Sequence, residues 1–188
     1  MKKFEREWSD PPVYRTRPLP VGELQGSFLV AQSTIAATRE ALTSFALAGI
    51  RDGGHEGMAF WAGREAEGAT LILQTIVPDA YHSDQRVMAS AEAVGKAARA
   101  ARGSGLGILC QVHSHPGSDA RHSDGDDDLV LLPFEGMLSI VVPDFGLHFS
   151  SLADACVHQF QKGKWVLCSP KSLTSNMVVV PSSVDFRA

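Results

Sequence analysis

The spacing of apolar residues along the chain predicts a protein built largely of short strands. Residues 27–31 and 56–62 are apolar and strand-like, and residues 69–77 follow across a polar connection at 63–68 that fits a hairpin. Later strands are predicted at residues 107–113, 138–142, 157–161 and 165–168. The pattern therefore indicates a sheet of several strands.

Two longer segments have the spacing of helices. Apolar positions recur at helical intervals in residues 34–48, which Gly49 ends, and residues 84–102 are rich in alanine as far as Gly103. A short helix is also expected to begin at Ser123. Because most strands follow one another along the chain, their order predicts an α+β fold, a mixed β-sheet with flanking helices, rather than a doubly wound fold.

The length of the chain, 188 residues, suits a single domain with an extension at either end. Residues 1–25 are rich in proline and in alternating charges, which disfavours a helix and predicts an extended N-terminal arm. We assign residues 26–168 to the core and residues 169–188 to a C-terminal tail.

Composition excludes several classes of partner. A hydrophobic share of 44%, a charged share of 20% and a net charge of -4 are ordinary for a globular protein, and they predict no basic face for nucleic acid. No apolar run approaches the roughly 20 residues that span a bilayer, and the opening residues lead into no signal-peptide core, so we expect no membrane partner and a cytoplasmic location. Three cysteines without a C-x-x-C pair are expected to be small buried hydrophobes.

Two histidines form the centre of the candidate chemistry. His113 and His115 lie two residues apart at the end of a predicted strand, so their side chains project from the same face and can converge on one point. Neutral imidazole is a preferred zinc ligand, and a third ligand from another element would leave the fourth position open. Ser123 and Asp126 follow after a turn, about one helical turn apart, where both could face the histidine pair.

Plainer interpretations of the same residues remain open. A lone H-x-H is often a surface pair, and Ser123 followed by Asp126 is also the pattern of a helix cap. A small register difference at the start of the helix would exchange Asp126 for one of its neighbours. The rival ligands are His122, Asp124, Asp127 and Asp128.

The combined motif resembles a known family. The stretch V-H-S-H-P at residues 112–116, followed by Ser123 and Asp126, is similar to the signature of the JAMM (MPN-plus) metalloproteases, and E-G-M-A-F-W-A-G at residues 56–63 is similar to that family's glutamate-bearing strand. The resemblance spans residues 27–165. It implies a JAMM/MPN-like fold, a sandwich of the cytidine-deaminase type.

The resemblance also implies a role for each motif residue. His113, His115 and Asp126 would hold one Zn²⁺ per chain, Glu56 would be the acid–base residue that activates water, and Ser123 would stabilise the oxyanion. Elementary chemistry agrees, because zinc lowers the pKa of a bound water to about 7, where a carboxylate can take its proton.

The substrate that the resemblance implies is an amide or isopeptide bond at the C-terminus of a ubiquitin-like protein, in a conjugate or a precursor. Cleavage of a sulfur-carrier protein from an amino acid is a narrower possibility. Activating and conjugating enzymes of the same pathway would be further partners. The connections at residues 78–86 and 128–137 are short, with no room for long substrate-gripping insertions.

Two other functions compete with this interpretation. In a cupin-type metal oxygenase, an acidic ligand follows H-x-H after four residues, and Asp119 occupies that position, although cupins need a nearly all-β chain. A non-catalytic MPN-type interaction module is the other alternative. Metal analysis and a Glu56 substitution would separate the module from an enzyme.

Overall fold

The computed structural model describes residues 15–129 and 133–182 of the chain. Within these residues there are eleven strands and four α-helices. The strands are β1 Val21–Gly22, β2 Phe28–Ala31, β3 Met58–Ala66, β4 Ala69–Ile76, β5 Ala80–His82, β6 Val87–Ala89, β7 Gly107–Ser114, β8 Leu138–Val142, β9 Cys156–Gln161, β10 Lys164–Cys168 and β11 Met177–Val180. The helices are α1 Gln32–Ala48, α2 Ala91–Gly103, α3 Asp124–Leu129 and α4 Pro170–Asn176.

Nine of these strands form one mixed sheet in the order β1-β10-β9-β8-β7-β3-β4-β2-β11, and β5 pairs with β6 in a separate hairpin. Strand β7 lies in the middle of the large sheet, antiparallel to β3 and parallel to β8. The α+β class predicted from the sequence is therefore confirmed, and the predicted histidine strand occupies its centre.

The main core lies between the large sheet and α1. Trp61 of β3 and Leu42 of α1 are fully buried there, and burial of each such side chain stabilises the fold by roughly 1.5–3 kcal/mol. The indole N–H of Trp61 donates to the hydroxyl of Thr38 at 2.7 Å, so the one polar atom of the ring is satisfied. This packing fixes β3, and with it the position of its neighbour β7.

A second apolar cluster covers the other side of the sheet. Met58 and Phe60 of β3 pack there with Ala97 of α2, and side chains from the β5–β6 hairpin join them. The small alanine side chains of α2 allow the helix to lie close to the sheet. The hairpin is thereby held beside the start of β3.

The predicted helix at residues 84–102 is shorter in the structure. It begins at Ala91, and Ser90 caps it by accepting a hydrogen bond from the N–H of Ala93 at 3.2 Å. The preceding residues form β6 instead, where Val87 pairs with His82 of β5. Tertiary packing of an apolar strand against the second cluster outweighs the helical tendency of the alanine-rich sequence.

Segments near both ends of the described part of the chain take part in the fold. Of the predicted arm, residues 15–25 are extended and include β1, which runs parallel to β10, whereas residues 1–14 lie outside the described residues. The segment assigned to a tail contains α4, capped by the Ser169 side chain, and β11, which pairs in parallel with β2. Residues 183–188 lie outside the described residues. Among the helices described, none is long and apolar enough to cross a membrane.

Candidate metal centre

The two histidines emerge together from the end of the central strand. His113 is the β7 residue that pairs with Met58 of β3 and Val141 of β8, and it is largely buried. The strand geometry continues past Ser114, because the N–H of His115 donates to the carbonyl of Val142 at 2.9 Å. Side chains two residues apart on a strand share a face, so both imidazoles point to the same side, as predicted.

Asp126 completes a triangle of candidate ligand atoms. Its Oδ1 lies 3.3 Å from Nε2 of His113, its Oδ2 lies 3.3 Å from Nε2 of His115, and the two nitrogens lie 3.2 Å apart. Ligand bonds of about 2.0–2.1 Å in a tetrahedral zinc site place the ligand atoms roughly 3.3 Å from one another. Among the described residues, His113, His115 and Asp126 form a group of side chains whose ligand atoms are close enough together to hold a metal ion. The spacing and the donor set fit zinc.

The orientation of the ligands is set by their other hydrogen bonds. Nδ1 of His115 lies 2.9 Å from the carbonyl oxygen of Asp119, which can only accept, so this nitrogen carries the proton and Nε2 is left to bind a metal. The backbone N–H and hydroxyl of Ser123 both donate to Asp126, and the N–H of Asp126 donates back to the hydroxyl at 3.1 Å. Ser123 and Asp126 therefore form a helix cap, and the same hydrogen bonds orient Asp126 as a candidate ligand.

The ionisation of Asp126 and that of its neighbouring histidines depend on one another. Burial alone would raise the pKa of Asp126, but the neighbouring imidazoles of His113 and His115 hold that pKa well below its usual range. Burial alone would lower the pKa of His115, but the hydrogen bond to Asp126 outweighs it and raises the pKa of His115 to about 9. The arrangement thus attracts a positive charge, a proton or a metal ion, to the centre of the triangle.

Glu56 lies beside the triangle in a buried position. The N–H of Ser114 donates to the carbonyl of Gly57 at 3.0 Å, which continues the contact between β3 and β7 and brings Glu56 towards His115. The N–H of Glu56 donates to the carbonyl of Ser83 at 2.8 Å. Only 7% of Glu56 is exposed, and burial raises the pKa of its carboxyl to about 8. A carboxyl with such a pKa can exchange a proton near neutral pH.

The rival ligands are occupied elsewhere. The ring nitrogens of His122 bond to Asp127 at 2.9 Å and to the hydroxyl of Ser139 at 2.8 Å, so neither is free for a metal. Asp124 and Asp128 both form salt bridges with Arg17 of the N-terminal arm. Asp119, the third ligand in the cupin interpretation, forms a salt bridge with Arg121 at 2.7 Å.

The histidine pair beside Glu56 and the three cysteines are not part of the triangle. Nδ1 of His55 is 2.8 Å from Nδ1 of His82, on the hairpin side of Glu56. All three cysteines are free, with Cys110 and Cys168 buried and Cys156 partly buried. The sequence did not indicate the carbonyl of Asp119 as a partner of His115, since any residue can supply a carbonyl.

A cavity of about 1060 Å³ opens onto the candidate centre. One wall comes from residues 85–89 around β6, another from Arg15, Arg17 and Leu19 of the arm, and the loop with Gly117 and Asp119 lies at its edge. The β4 half of the β3–β4 hairpin does not line it. The candidate ligands, Glu56 and Ser123 all face one space large enough for an extended peptide.

Comparison with known proteins identifies the family. The sequence model described as prokaryotic homologs of the JAB domain matches residues 38–151. A curated relative named probable metalloprotease y4jG, from Sinorhizobium fredii (strain NBRC 101917 / NGR234), is 31% identical over 156 residues, which cover 79% of this chain and 95% of the relative. The chain belongs to the prokaryotic JAB-domain family, and the resemblance to JAMM/MPN proteins predicted from the motif is confirmed.

A solved bacterial structure shows the same fold. Protein DSY2949 from Desulfitobacterium hafniense matches with a TM-score of 0.56 at 15% identity, covering 82% of this chain and 94% of that protein. AF2198, a JAB1/MPN domain protein from Archaeoglobus fulgidus, matches with a TM-score of 0.44 at 16% identity over 81% of this chain and 97% of its own. Membership of this family overturns the cupin interpretation, which also required an almost all-β chain.

Proposed function

We propose that this chain is a zinc-dependent peptidase or isopeptidase that hydrolyses an amide or isopeptide bond at the C-terminus of a ubiquitin-like protein. The observation that carries the proposal is the convergence of His113, His115 and Asp126. The two Nε2 atoms lie 3.2 Å apart and each lies 3.3 Å from one oxygen of the carboxylate, with the buried carboxyl of Glu56 beside them. In this proposal one Zn²⁺ is held per chain. Zinc held there would supply a Lewis acid and lower the pKa of a water molecule to about 7.

Glu56 is the proton carrier in this mechanism. Its carboxylate takes a proton from the attacking water, a C–O bond forms at the scissile carbonyl, and the same proton is delivered to the leaving nitrogen as the C–N bond breaks. Burial raises the pKa of this carboxyl to about 8 in the metal-free protein, and a cation held beside it would lower that pKa towards neutrality, where both transfers can occur. A glutamine at this position could do neither.

Ser123 has a part in this proposal that depends on a change of partner. Its hydroxyl donates to Asp126 at 2.9 Å. Once the Asp126 carboxylate is neutralised by a cation, the hydroxyl can turn its proton towards the developing oxyanion. We therefore expect Ser123→Ala to lower kcat more than it weakens zinc binding.

The substrate tail is proposed to lie along the cavity as an extended strand. Val87, Met88 and Ala89 of β6 line the cavity, and β6 pairs only with β5 among the described residues. Strand addition to such an edge would hold a peptide by main-chain hydrogen bonds and present its carbonyl to the candidate centre. Glycine near the scissile bond would allow the tail its closest approach to the candidate centre.

Bulky side chains at the cavity edge test this placement. A side-chain carbon built at Gly117 meets no atom within 4 Å, and Ser118 is exposed. We therefore expect Gly117→Trp and Ser118→Trp to leave the fold intact while crowding the path of the tail. We expect KM to rise or kcat to fall with zinc content unchanged. Gly103→Trp, also in open space at the end of α2, is the matched control. Unchanged cleavage by the Gly117 and Ser118 variants would remove this account of engagement.

The substrate class can be tested directly. A bacterial ubiquitin-like protein, extended by a few residues beyond its C-terminal glycine, is incubated with the zinc-loaded chain, and the products are identified by mass spectrometry. Cleavage at the glycine by the wild type, and none by Glu56→Gln, is expected. An intact substrate contradicts the substrate class, and cleavage by Glu56→Gln contradicts the mechanism. A cytoplasmic location, and activating and conjugating enzymes of the same pathway as partners, belong to this proposal.

A further inference from the structure

The N-terminal arm makes close contacts with the helix that carries Asp126. The family model matches residues 38–151, so the arm lies outside the matched segment. In the structure, however, residues 15–17, which we call the arm clamp, pack against α3 more than 100 positions later in the sequence.

Arg15 forms the inner part of the arm clamp. Its guanidinium donates to the carboxylate of Asp127 at 3.0 Å and to the carbonyl of His122 at 3.1 Å, and its side chain is 17% exposed. The other oxygen of Asp127 accepts from Nδ1 of His122. Arg15 therefore fixes both the residue before Ser123 and the residue after Asp126.

Thr16 and Arg17 hold the first turn of α3 from the outside. The backbone N–H and hydroxyl of Thr16 both donate to the buried carboxylate of Asp124. The guanidinium of Arg17 bonds to the carbonyl of Asp124 at 2.8 Å and to the carboxylate of Asp128 at 2.9 Å. Every aspartate of α3 other than Asp126 is thus paired with the arm.

The helix needs such support. It has only six residues, four of them aspartates, and a helix this short does not form on its own while like charges repel along it. Cations on the three flanking carboxylates relieve that repulsion and leave Asp126 as the carboxylate turned towards His113 and His115. We infer that Arg15, Thr16 and Arg17 are positioning residues for the metal centre and hold Asp126 in the geometry that binds zinc.

The inference rests on the proposed metal site. It predicts a change in zinc affinity opposite in direction to the change expected from charge alone. Removing two arginines beside an acidic site should by charge alone strengthen its attraction for a divalent cation. The double variant Arg15→Ala/Arg17→Ala should instead bind zinc about 10- to 100-fold more weakly, the usual cost of losing residues that orient a ligand. Affinity is measured by competition with a chromophoric chelator.

A matched control separates charge from position. The double variant Arg39→Ala/Arg64→Ala removes the same charge from exposed positions on α1 and β3, and its zinc affinity should stay within about twofold of wild type. Cobalt(II) substitution adds a spectroscopic readout. If Asp126 loses its orientation, the visible absorption bands of the arm-clamp variant should change, whereas those of the control should not.

A second variant covers the case in which the double variant does not fold. Thr16→Val keeps both arginines and removes only the hydroxyl bond to Asp124, and it should weaken zinc binding severalfold. Equal or tighter zinc binding by the folded double variant, with an unchanged cobalt spectrum, would overturn the inference. Failure of the wild type itself to bind zinc would instead refute the metal site, so the two failures are distinguishable.

Discussion

Two pairs of histidines lie next to each other and behave differently. His113 and His115 face the cavity and share the carboxylate of Asp126. His122 and His158 lie behind them, stacked with ring centroids 3.9 Å apart and fully buried. The ring centroids of His113 and His122 are only 6.1 Å apart, so the same residue type serves two purposes at neighbouring positions in space.

The difference lies in what each ring nitrogen meets. In the rear pair, Asp127 and Ser139 occupy both nitrogens of His122, and burial lowers the pKa of His158 to about 2, so these rings are neutral parts of the core. In the front pair, Nε2 of each ring turns to Asp126 and the cavity. The candidate ligands are distinguished from the core histidines because their Nε2 atoms converge on one another and on the carboxylate of Asp126.

The largest expected effect comes from the front pair. His113→Ala and His115→Ala should each lose stoichiometric zinc and reduce hydrolysis to background, because two protein ligands cannot hold the metal tightly. Metal content by mass spectrometry after dialysis checks this. Full occupancy in the double variant would place the metal elsewhere.

The next effect concerns Glu56. Glu56→Gln should keep zinc and the fold but lose about 10²- to 10⁴-fold in kcat, since the amide cannot carry the proton. Steady-state rates on the extended ubiquitin-like substrate provide the measurement. An unchanged kcat would assign the proton transfer to another group; Glu65 and Glu67 at the exposed β3–β4 turn would then be tested.

The rear pair should affect stability rather than chemistry. His122→Ala removes a buried ring and leaves Asp127 and Ser139 without that partner, which should cost roughly 2–4 kcal/mol of unfolding free energy. Urea unfolding measures the loss, while zinc content at saturation should stay near one per chain. If His122→Ala abolished zinc binding while the protein remained fully folded, the two pairs would not be separate in function.

The smallest effect is a pH-dependent one in the metal-free protein. Because burial raises the pKa of Glu56 from 4.5 to about 8, the folded state holds a proton that the unfolded state has released, and stability falls as the pH rises between these values. Glu56→Gln should therefore be more stable than wild type near pH 7, by a few degrees in Tm, and nearly equal at pH 4. Equal Tm values at both pH values would show that Glu56 titrates normally.

Local sequence patterns predicted that the candidate ligands lie close together, but they did not predict the side chains that surround those ligands. Strand alternation places His113 and His115 on one face, and the Ser123–Asp126 spacing is visible as a cap, so local periodicity suffices for these residues. The contacts of Arg15 and Arg17 with α3 join positions 107–112 residues apart, and no local pattern reports them. The pairing of His122 with Ser139 depends in the same way on the tertiary fold.

The fold shows the same division. Long periodic segments such as α1 and β7 were predicted to within a few residues. The start of α2 was wrong because β6 precedes it, and α4 and β11 were assigned to a tail because an edge strand of four residues has too short a pattern to recognise. Edge elements are defined by the partner they pair with, and that partner is distant in sequence.

X-ray absorption at the zinc edge of the purified wild-type protein tests the central claim most directly. The account predicts one zinc per chain with nitrogen and oxygen ligands at about 2.0–2.1 Å, including the scattering pattern of two imidazoles, and the loss of that pattern in His113→Ala/His115→Ala. A sulfur shell at about 2.3 Å, or an unchanged spectrum in the double variant, would contradict it.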